Sequence, residues 1–268
     1  MKLRLRRIIN PQTKRTFLLA LDHGFTSGPL SGLENIPLLL NKIPLDHLDG
    51  IILHKGMARA SGQLIMQYPS LSLIMHLSGA TVFSHDPFYK RTVCSVENAM
   101  HMGADGVSCH INLGSKMEAH MLAESGKIQE DCNKFGLPLL VMIYPRGEKI
   151  EDAYSPEYIG HAVRVAEELG ADLIKTVCPR DMSKFEKIMG QTHTPVIIAG
   201  GAKNPSEEYL FKMTEEALKS GASGVCFGRN IFQHKESDLM IRIIKKIVHE
   251  DLSVKEALDI MKSKEIRT

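Results

Sequence analysis

Short runs of apolar residues alternate with longer stretches of mixed polarity along most of the chain. The runs are almost continuous in apolar side chains, which is typical of parallel strands covered on both faces, whereas a strand with one solvated face alternates. Eight such runs predict strands. They cover residues 17–21, 50–53, 71–77, 106–111, 138–143, 173–175, 196–199 and 224–227.

The stretches between these runs carry the signals of helix ends. Ser155, Pro156 and Glu157 supply an N-cap, a first-turn proline and an acidic residue, and apolar residues then recur at helical spacing until Gly170. The sequence Asn-Pro-Ser-Glu at 204–207 repeats this opening before a second helix that ends at Gly221. These segments therefore predict helices between the strands.

The alternation predicts one domain over residues 1–268, folded as a single (β/α)₈ TIM barrel. Segments 103–107, 170–174 and 221–225 each join a helix stop directly to a strand start, and no linker rich in Pro, Gly or Ser divides the chain. An open doubly wound sheet is the alternative. The basic residues 1–15 predict an exposed strand or arm, and residues 235–268 predict C-terminal helices.

Composition, charge and cysteine spacing argue against several classes of protein. With 268 residues, 43% hydrophobic side chains and a net charge of +2, the chain can bury one large core and lacks the basic surface of a nucleic-acid binder. The five cysteines form no CxxC pair, which indicates reduced thiols. No apolar run approaches the roughly 18 residues of a membrane span, and the N-terminus lacks a signal-peptide pattern. We expect a soluble, cytoplasmic protein.

Lys175 ends the sixth apolar run, where a lysine is unexpected. Apolar surroundings disfavour the charged ammonium, so burial is expected to lower the lysine pKa and leave a nucleophilic amine near neutral pH. Such an amine can form a Schiff base with a ketone. The alternative is a strand-end lysine that turns out to solvent or pairs with a carboxylate.

Two further strand ends carry groups that can move protons. Alternation along the first and fifth strands allows Asp22 and Tyr144 to point inward toward Lys175, on the face where TIM barrels carry their chemistry. A Schiff-base aldolase needs a proton acceptor and a proton donor beside its amine. Asp22 could also be an ordinary turn aspartate, and Tyr144 a rim tyrosine.

The last two strands end in glycines that predict a phosphate site. Gly200 and Gly201 follow the seventh strand, and Gly228 and Arg229 follow the eighth, before a short helix expected to start at 230–233. Glycines let backbone N–H groups approach an anion, and the loops after strands seven and eight commonly bind phosphate in TIM barrels. Arg146 or Lys55 could hold a second anionic group.

Histidines near the ends of the first four strands support a different hypothesis. Three or four imidazoles that converge there could hold Zn²⁺ for a metal-dependent enzyme. Strand alternation argues against this, because if Asp22 and Lys55 face the barrel, the histidines beside them face away. The histidines concerned are His23, His54, His76 and His110.

The chain resembles the class I aldolases of the DeoC/LacD group, which includes archaeal-type fructose-bisphosphate aldolase. The resemblance covers nearly the whole chain, and the run 75–79 is more similar to the aminodideoxyheptulosonate and related aminohydroxybenzoate-precursor synthases than to the sugar aldolases. Its most specific segments are 21–24, 27–29, 53–56, 76–79, 144–147, 174–176, 199–201 and 228–234.

The resemblance implies a metal-independent enzyme without a cofactor. It implies Lys175 as the Schiff-base lysine, Asp22 as proton acceptor and Tyr144 as proton donor. It also implies a homo-oligomer, since members of the group often form decamers. Expected substrate contacts are His23, Gly24, Phe25, Thr26, Lys55, Pro145 and Arg146, with Gly200, Gly201, Gly228 and Arg229 at the phosphate.

The expected reaction joins a phosphorylated ketone, either dihydroxyacetone phosphate or a deoxyhexodiulose phosphate, to an aldehyde acceptor. The resemblance suggests L-aspartate semialdehyde as acceptor, in aromatic amino acid or aminohydroxybenzoate biosynthesis. Fructose-1,6-bisphosphate aldolase activity is the nearest alternative. A Zn²⁺-dependent barrel enzyme and a non-catalytic barrel scaffold are more distant ones, because a fold alone specifies no function.

Overall fold

Eight parallel strands close into a barrel in the computed structural model, which describes residues 2–203 and 206–264. The strands follow one another around the ring in chain order, and the eighth pairs with the first to close it. This confirms the predicted (β/α)₈ barrel over the open sheet. In chain order the strands are Thr16–Ala20, Gly50–Leu53, Ser72–His76, Gly106–Leu113, Leu139–Pro145, Leu173–Val177, Val196–Ala199 and Gly224–Phe227.

The sixth strand runs on to Val177, so Lys175 is its third residue and not its tip. The fourth and fifth strands also run further than their apolar patterns predicted. They pair with each other as far as Asn112 with Tyr144 and Leu113 with Pro145. Asn112 is fully buried, and its amide donates to the backbone carbonyl of Phe88 at 2.7 Å. Because a satisfied buried amide can sit in a strand core, the end of the apolar run did not mark the end of the strand.

Helices separate most of the strands and cover the outside of the barrel. A short 3₁₀ turn spans Leu45–His47, and a two-stranded antiparallel ladder joins Ser78–Gly79 to Arg91–Thr92. The α-helices are Leu5–Ile8, His23–Ser27, Ile36–Leu40, Lys55–Ile65, Val96–His101, Glu118–Phe135, Pro156–Glu168, Met182–Gly190, Glu207–Lys219, Arg229–Phe232, Ser237–Glu250 and Val254–Ser263. Among the described residues, none of these helices has the length and apolarity to cross a membrane.

The helix predicted after residue 204 starts at Glu207. Its cap is Ser206, whose hydroxyl accepts the N–H of Tyr209 at 3.1 Å. Asn204 and Pro205, which the prediction used as cap and first-turn proline, lie outside the described residues.

The N-terminal segment is a helix and not the strand that its basic residues suggested, and Arg4, Arg6 and Arg7 are exposed. It forms the helix Leu5–Ile8, and Ile8 is buried with 2% of its surface exposed. The Ile8 side chain packs so closely on Gly106 that a Cβ at that glycine would lie 2.8 Å from Ile8 Cδ1. The apolar pair Ile8 and Ile9 therefore covers the amino-terminal end of the barrel.

Three aspartates, which we call the strand-start aspartates, stand directly before the second, fourth and sixth strands at this end. They are Asp49, Asp105 and Asp172. Each carboxylate accepts a backbone N–H from the neighbouring odd-numbered strand and also contacts a basic side chain. The N–H donors are Phe17 at 2.6 Å, Leu73 at 3.0 Å and Leu139 at 2.9 Å, and the basic partners are His249, Arg7 and Lys2.

Candidate active site

A cavity of about 250 Å³ opens at the carboxyl ends of the strands. Lys175 projects into it from the sixth strand with only 6% of its surface exposed, so it does not turn out to solvent. Most of the residues singled out from the sequence share this cavity. They are Asp22, His23, Thr26, Tyr144, Arg146, Lys175, Gly200, Gly201, Gly228 and Arg229.

The charge on Lys175 differs from the sequence-based expectation. Burial acts to lower its pKa, as predicted, but the neighbouring Cys226, Tyr144 and Asp22 act more strongly in the other direction, so the pKa is raised. Burial also raises the pKa values of the Cys226 thiol and the Tyr144 phenol, which keeps both protonated at neutral pH. The Asp22 carboxylate is the neighbour that carries a negative charge at neutral pH, and it favours the protonated form of Lys175.

Asp22 follows the first strand and lies among nitrogen atoms. Its carboxylate is 3.6 Å from Nδ1 of His23 and 3.8 Å from Nε2 of His76. Burial acts to raise its pKa, but the neighbouring histidines and Lys175 outweigh burial and lower it. Oδ1 is buried without a hydrogen-bond partner among the residues that the structure describes. Asp22 is thus an ionised group with an unused acceptor atom in the cavity.

The cavity histidines are uncharged at neutral pH. Burial lowers the pKa of His76 to about 3, and its Nδ1 lies 2.8 Å from the Ser108 hydroxyl. Burial likewise lowers the pKa values of His23, His54 and His110. Lysine, not histidine, therefore supplies the positive charge beside Asp22.

The prediction that His23 and His54 face away from the barrel is wrong. Both line the cavity, and the ring centroids of His54 and His76 are 5.0 Å apart. The reason is that the chain turns into helices His23–Ser27 and Lys55–Ile65 as soon as the strands end, so strand alternation no longer applies. In the described part of the chain, no three His, Cys, Asp or Glu side chains are grouped so as to hold a metal ion.

Four of the expected substrate contacts do not line the cavity. Lys55 donates its amine to the carbonyl of Val93 at 2.7 Å, because it starts a helix that carries it outward. Phe25 turns away and its ring lies 4.5 Å from that of His54. Gly24, Phe25 and Lys55 line an outer groove that adjoins the cavity at Asp22 and His54, and Pro145 lines neither.

Tyr144 lines the cavity and has 6% of its surface exposed. Two groups pack on its ring: the imidazole of His110 at 5.0 Å between centroids and the guanidinium of Arg146 at 4.6 Å from the centroid. These contacts fix the ring orientation. Because its pKa is raised by burial, Tyr144 is a protonated donor at neutral pH.

The two glycine loops meet at the opposite side of the cavity. A Cβ at Gly228 would lie 2.5 Å from Cε1 of His23, so only glycine leaves room there. Arg229 donates to the carbonyl of Gly201 at 3.0 Å, while its buried Nε has no partner among the described residues. The short helix predicted at 230–233 spans Arg229–Phe232. The loops therefore present backbone and an unused guanidinium N–H to the cavity.

A family model for DeoC/LacD family aldolases matches residues 16–234, which include all eight barrel strands and the cavity. The chain belongs to the DeoC/LacD aldolase family. It is accordingly an aldolase-type enzyme, and the resemblance drawn from its strand-end motifs is confirmed.

Similar proteins agree with this assignment. A 2-amino-4,5-dihydroxy-6-oxo-7-(phosphonooxy)heptanoate synthase of Streptomyces griseus is 40% identical over 92% of this chain and 89% of its own. A 2-amino-3,7-dideoxy-D-threo-hept-6-ulosonate synthase of Archaeoglobus fulgidus is 38% identical over 91% and 90%. An archaeal fructose-1,6-bisphosphate aldolase, solved with its catalytic lysine covalently bound to a carbinolamine intermediate, matches with a TM-score of 0.82, 31% identity and coverage of 92% and 98%.

The prediction from strand ends did not include two residues that line this aldolase site. Cys226 lies inside the eighth strand and lines the cavity, where it acts to raise the pKa of Lys175. An apolar run that includes a cysteine gives no hint of such a position. Lys90 lines the cavity from the long loop after the third strand. Only the length of that loop and the basic pair Lys90-Arg91 could have marked it.

Proposed function

We propose that this aldolase works through a Schiff base on Lys175 and joins a phosphorylated ketone to L-aspartate semialdehyde. The observation that carries the proposal is a buried lysine amine in a small cavity that also contains an ionised carboxylate and a protonated phenol. These are the nucleophile, the proton acceptor and the proton donor that imine chemistry requires.

Imine formation uses the three groups in turn. As the ketone binds, Lys175 gives up its proton toward Asp22, and the free amine adds to the carbonyl carbon. The carbonyl oxygen takes a proton from Tyr144 and becomes the hydroxyl of a carbinolamine. The nitrogen of the adduct returns a proton to the Tyr144 phenolate, and the hydroxyl takes the proton held by Asp22 and leaves as water. An iminium joined to Lys175 remains, with Asp22 ionised and Tyr144 protonated again. The raised pKa of Tyr144 fits a group that must hold its proton until the carbonyl oxygen takes it.

The iminium then acts as an electron sink for the carbon–carbon step. Loss of a proton from the adjacent carbon, or cleavage of the adjacent C–C bond, gives an enamine. The enamine carbon attacks the acceptor aldehyde, whose oxygen is protonated as the new bond forms. Water finally hydrolyses the iminium and frees both the product and Lys175.

The phosphate of the ketone is assigned to the loops of Gly200-Gly201 and Gly228-Arg229. Glycines there allow close approach of backbone N–H groups, and the unpartnered Nε of Arg229 adds a charged donor. A phosphate held there would put the ketone carbon beside Lys175, because the sixth strand adjoins the seventh in the ring.

The proposed acceptor rests on the names of the two synthases. The Streptomyces relative is named for a seven-carbon amino acid that carries an oxo group and a terminal phosphate. An aldol addition of three-carbon dihydroxyacetone phosphate to four-carbon aspartate semialdehyde would build that carbon skeleton. The structural relationship to a fructose-1,6-bisphosphate aldolase supports a second candidate, in which glyceraldehyde 3-phosphate is the acceptor.

Borohydride reduction tests the first step. Incubation with dihydroxyacetone phosphate and borohydride should add the reduced ketone to Lys175, as read by mass spectrometry of the peptide, and Lys175→Ala should not be labelled. If neither dihydroxyacetone phosphate nor a deoxyhexodiulose phosphate labels Lys175 of the wild type, the mechanism is refuted. Comparison of the two acceptors in the C–C bond-forming assay then decides between the synthase and the sugar aldolase.

A further inference from the structure

Lys90 and Arg146 are two cations in the cavity wall that take no part in the proposed proton transfers. Lys90 belongs to the loop after the third strand and Arg146 follows the fifth. Neither is in an ion pair with a carboxylate within the described parts of the chain, although Asp22 and Asp86 are the acidic groups that influence Lys90. Two cations left without counter-ions at one wall are a site for an anion.

The loop that carries Lys90 is held in place on both sides of that residue. On one side, the buried Asn112 donates to the carbonyl of Phe88 at 2.7 Å. On the other, Glu124 accepts from the N–H and the hydroxyl of Thr92, at 2.8 Å and 2.6 Å. The antiparallel ladder of Ser78–Gly79 with Arg91–Thr92 adds further backbone bonds. Lys90 is therefore directed to the cavity by a built framework and not by a free loop.

Arg146 is oriented by different contacts. Its guanidinium stacks on the ring of Tyr144, with 4.6 Å to the centroid, and its backbone N–H donates to the carbonyl of Leu113 at 2.8 Å. The stacked face leaves the edge N–H groups free for a carboxylate or phosphate. Both cations line the cavity, and burial and the Arg146 charge lower the pKa of Lys90 despite the opposite effect of Asp22 and Asp86.

The ring order separates this pair from the proposed phosphate loops. The third strand lies opposite the seventh in the barrel, and the sixth strand with Lys175 stands between the fifth and the seventh. A ketone joined to Lys175 with its phosphate at the seventh and eighth strands would extend its reactive carbon toward the third to fifth strands. The acceptor must arrive on that side.

We propose that Lys90 and Arg146 form a second anion subsite that binds the carboxylate of the acceptor aldehyde. This inference rests on the proposed function and adds its specificity: the enzyme selects aldehydes that carry an anionic group a few atoms from the carbonyl. Charge-assisted contacts to a partly desolvated carboxylate are among the stronger polar contacts in proteins, and the loss of one costs roughly 10-fold to 100-fold in affinity.

Two acceptors of equal length give a direct test. Succinate semialdehyde has four carbons and a carboxylate, and butyraldehyde has four carbons and none. In Lys90→Met, KM for succinate semialdehyde should rise roughly 10-fold to 100-fold, while KM for butyraldehyde should change by less than about 2-fold. In Arg146→Met, which also loses the contact with the Tyr144 ring, KM for succinate semialdehyde should rise by more than KM for butyraldehyde. Lys116→Met is the matched control, because Lys116 is exposed outside the cavity and pairs with Glu148.

Labelling of Lys175 by dihydroxyacetone phosphate and borohydride is measured in the same variants. If the wild type is not labelled, the proposed function fails. If labelling persists and both aldehydes are affected equally, or neither is affected, the anion subsite alone is refuted. Calorimetric titration with succinate gives a readout without turnover: weaker binding to Lys90→Met than to Lys116→Met supports the subsite, and equal or absent binding to both overturns it.

Discussion

The two ends of the barrel differ in whether their buried charged groups have hydrogen-bond partners. At the amino-terminal end, the strand-start aspartates each have a backbone N–H donor and a basic partner. At the carboxyl end, Asp22 Oδ1, His23 Nδ1 and Arg229 Nε are buried without partners among the described residues. Unpaired buried polar atoms cost stability, so the first end is built to hold the barrel together and the second to receive a ligand.

This comparison predicts its largest effect at Lys175. Lys175→Met should lower kcat by roughly 10⁴-fold or more, because Lys175 is the buried amine that shares the cavity with Asp22 and Tyr144, and Lys90 enters the cavity from a different loop. Steady-state assays and borohydride labelling measure the loss. Residual turnover within 10-fold of wild type would show that the carboxyl end does not work through this amine.

A smaller loss is expected at Asp22. Asp22→Asn should reduce kcat by about 10²-fold to 10³-fold, since it removes the proton acceptor and keeps the side-chain shape. The Asp22 carboxylate helps to raise the pKa of Lys175 against burial, so its removal should lower that pKa. The pH at which borohydride labelling sets in should therefore move downward, and an upward or absent shift would contradict the assignment of charge.

At the other end of the barrel the effect should fall on stability alone. Asp172→Ala removes the carboxylate that binds Leu139 N–H at 2.9 Å and Lys2 Nζ at 2.8 Å. We expect the free energy of unfolding to fall by about 2 kcal/mol, measured by urea denaturation, with kcat within about 2-fold of wild type. Asp238→Ala, which breaks an exposed pair with Arg242, should have a much smaller effect on stability.

Acid should weaken the fold through the carboxyl end. The pKa of His76 is about 3 when folded, below the ordinary value of 6.5. Between pH 6.5 and pH 3 the unfolded chain binds a proton at His76 that the folded chain excludes. The stability that the neutral His76 contributes is therefore fully present above pH 6.5 and is lost as pH falls toward 3. At pH 5 the loss attributable to His76 is about 2 kcal/mol. Between pH 7.5 and 5, the midpoint of urea denaturation should fall less in His76→Asn than in the wild type. An equal fall in both proteins would argue against His76 as the source of the acid sensitivity.

The smallest effect should be a gain in stability. The double variant Lys175→Met with Asp22→Asn replaces a buried pair of opposite charges by neutral groups of similar size. Such replacements are often neutral or stabilising, and we expect an increase of about 1 kcal/mol in the free energy of unfolding at pH 7. A clear decrease would show that these charges hold the barrel together, and that the contrast between its ends is wrong.

Much of the fold could be predicted because its signals are local. Apolar runs marked all eight strands, and the tip of the sixth run marked Lys175. The fourth and fifth strands extend beyond their runs because Asn112 is satisfied by a distant carbonyl, which a pattern of apolar residues cannot indicate. The errors for His23 and His54 have a similar cause, since strand alternation ends where a helix begins.

The sequence by itself determined the barrel, the order of its strands and which strands and loops carry Lys175, Asp22, Tyr144 and the paired glycines, because hydrophobic period and glycine position act over a few residues. Only the tertiary structure decided the charge of the site. The direction of the Lys175 pKa, the exit of Lys55 and the arrival of Lys90 all depend on which side chains meet across the ring. Electrostatic energy varies with distance in space, and sequence separation does not report that distance.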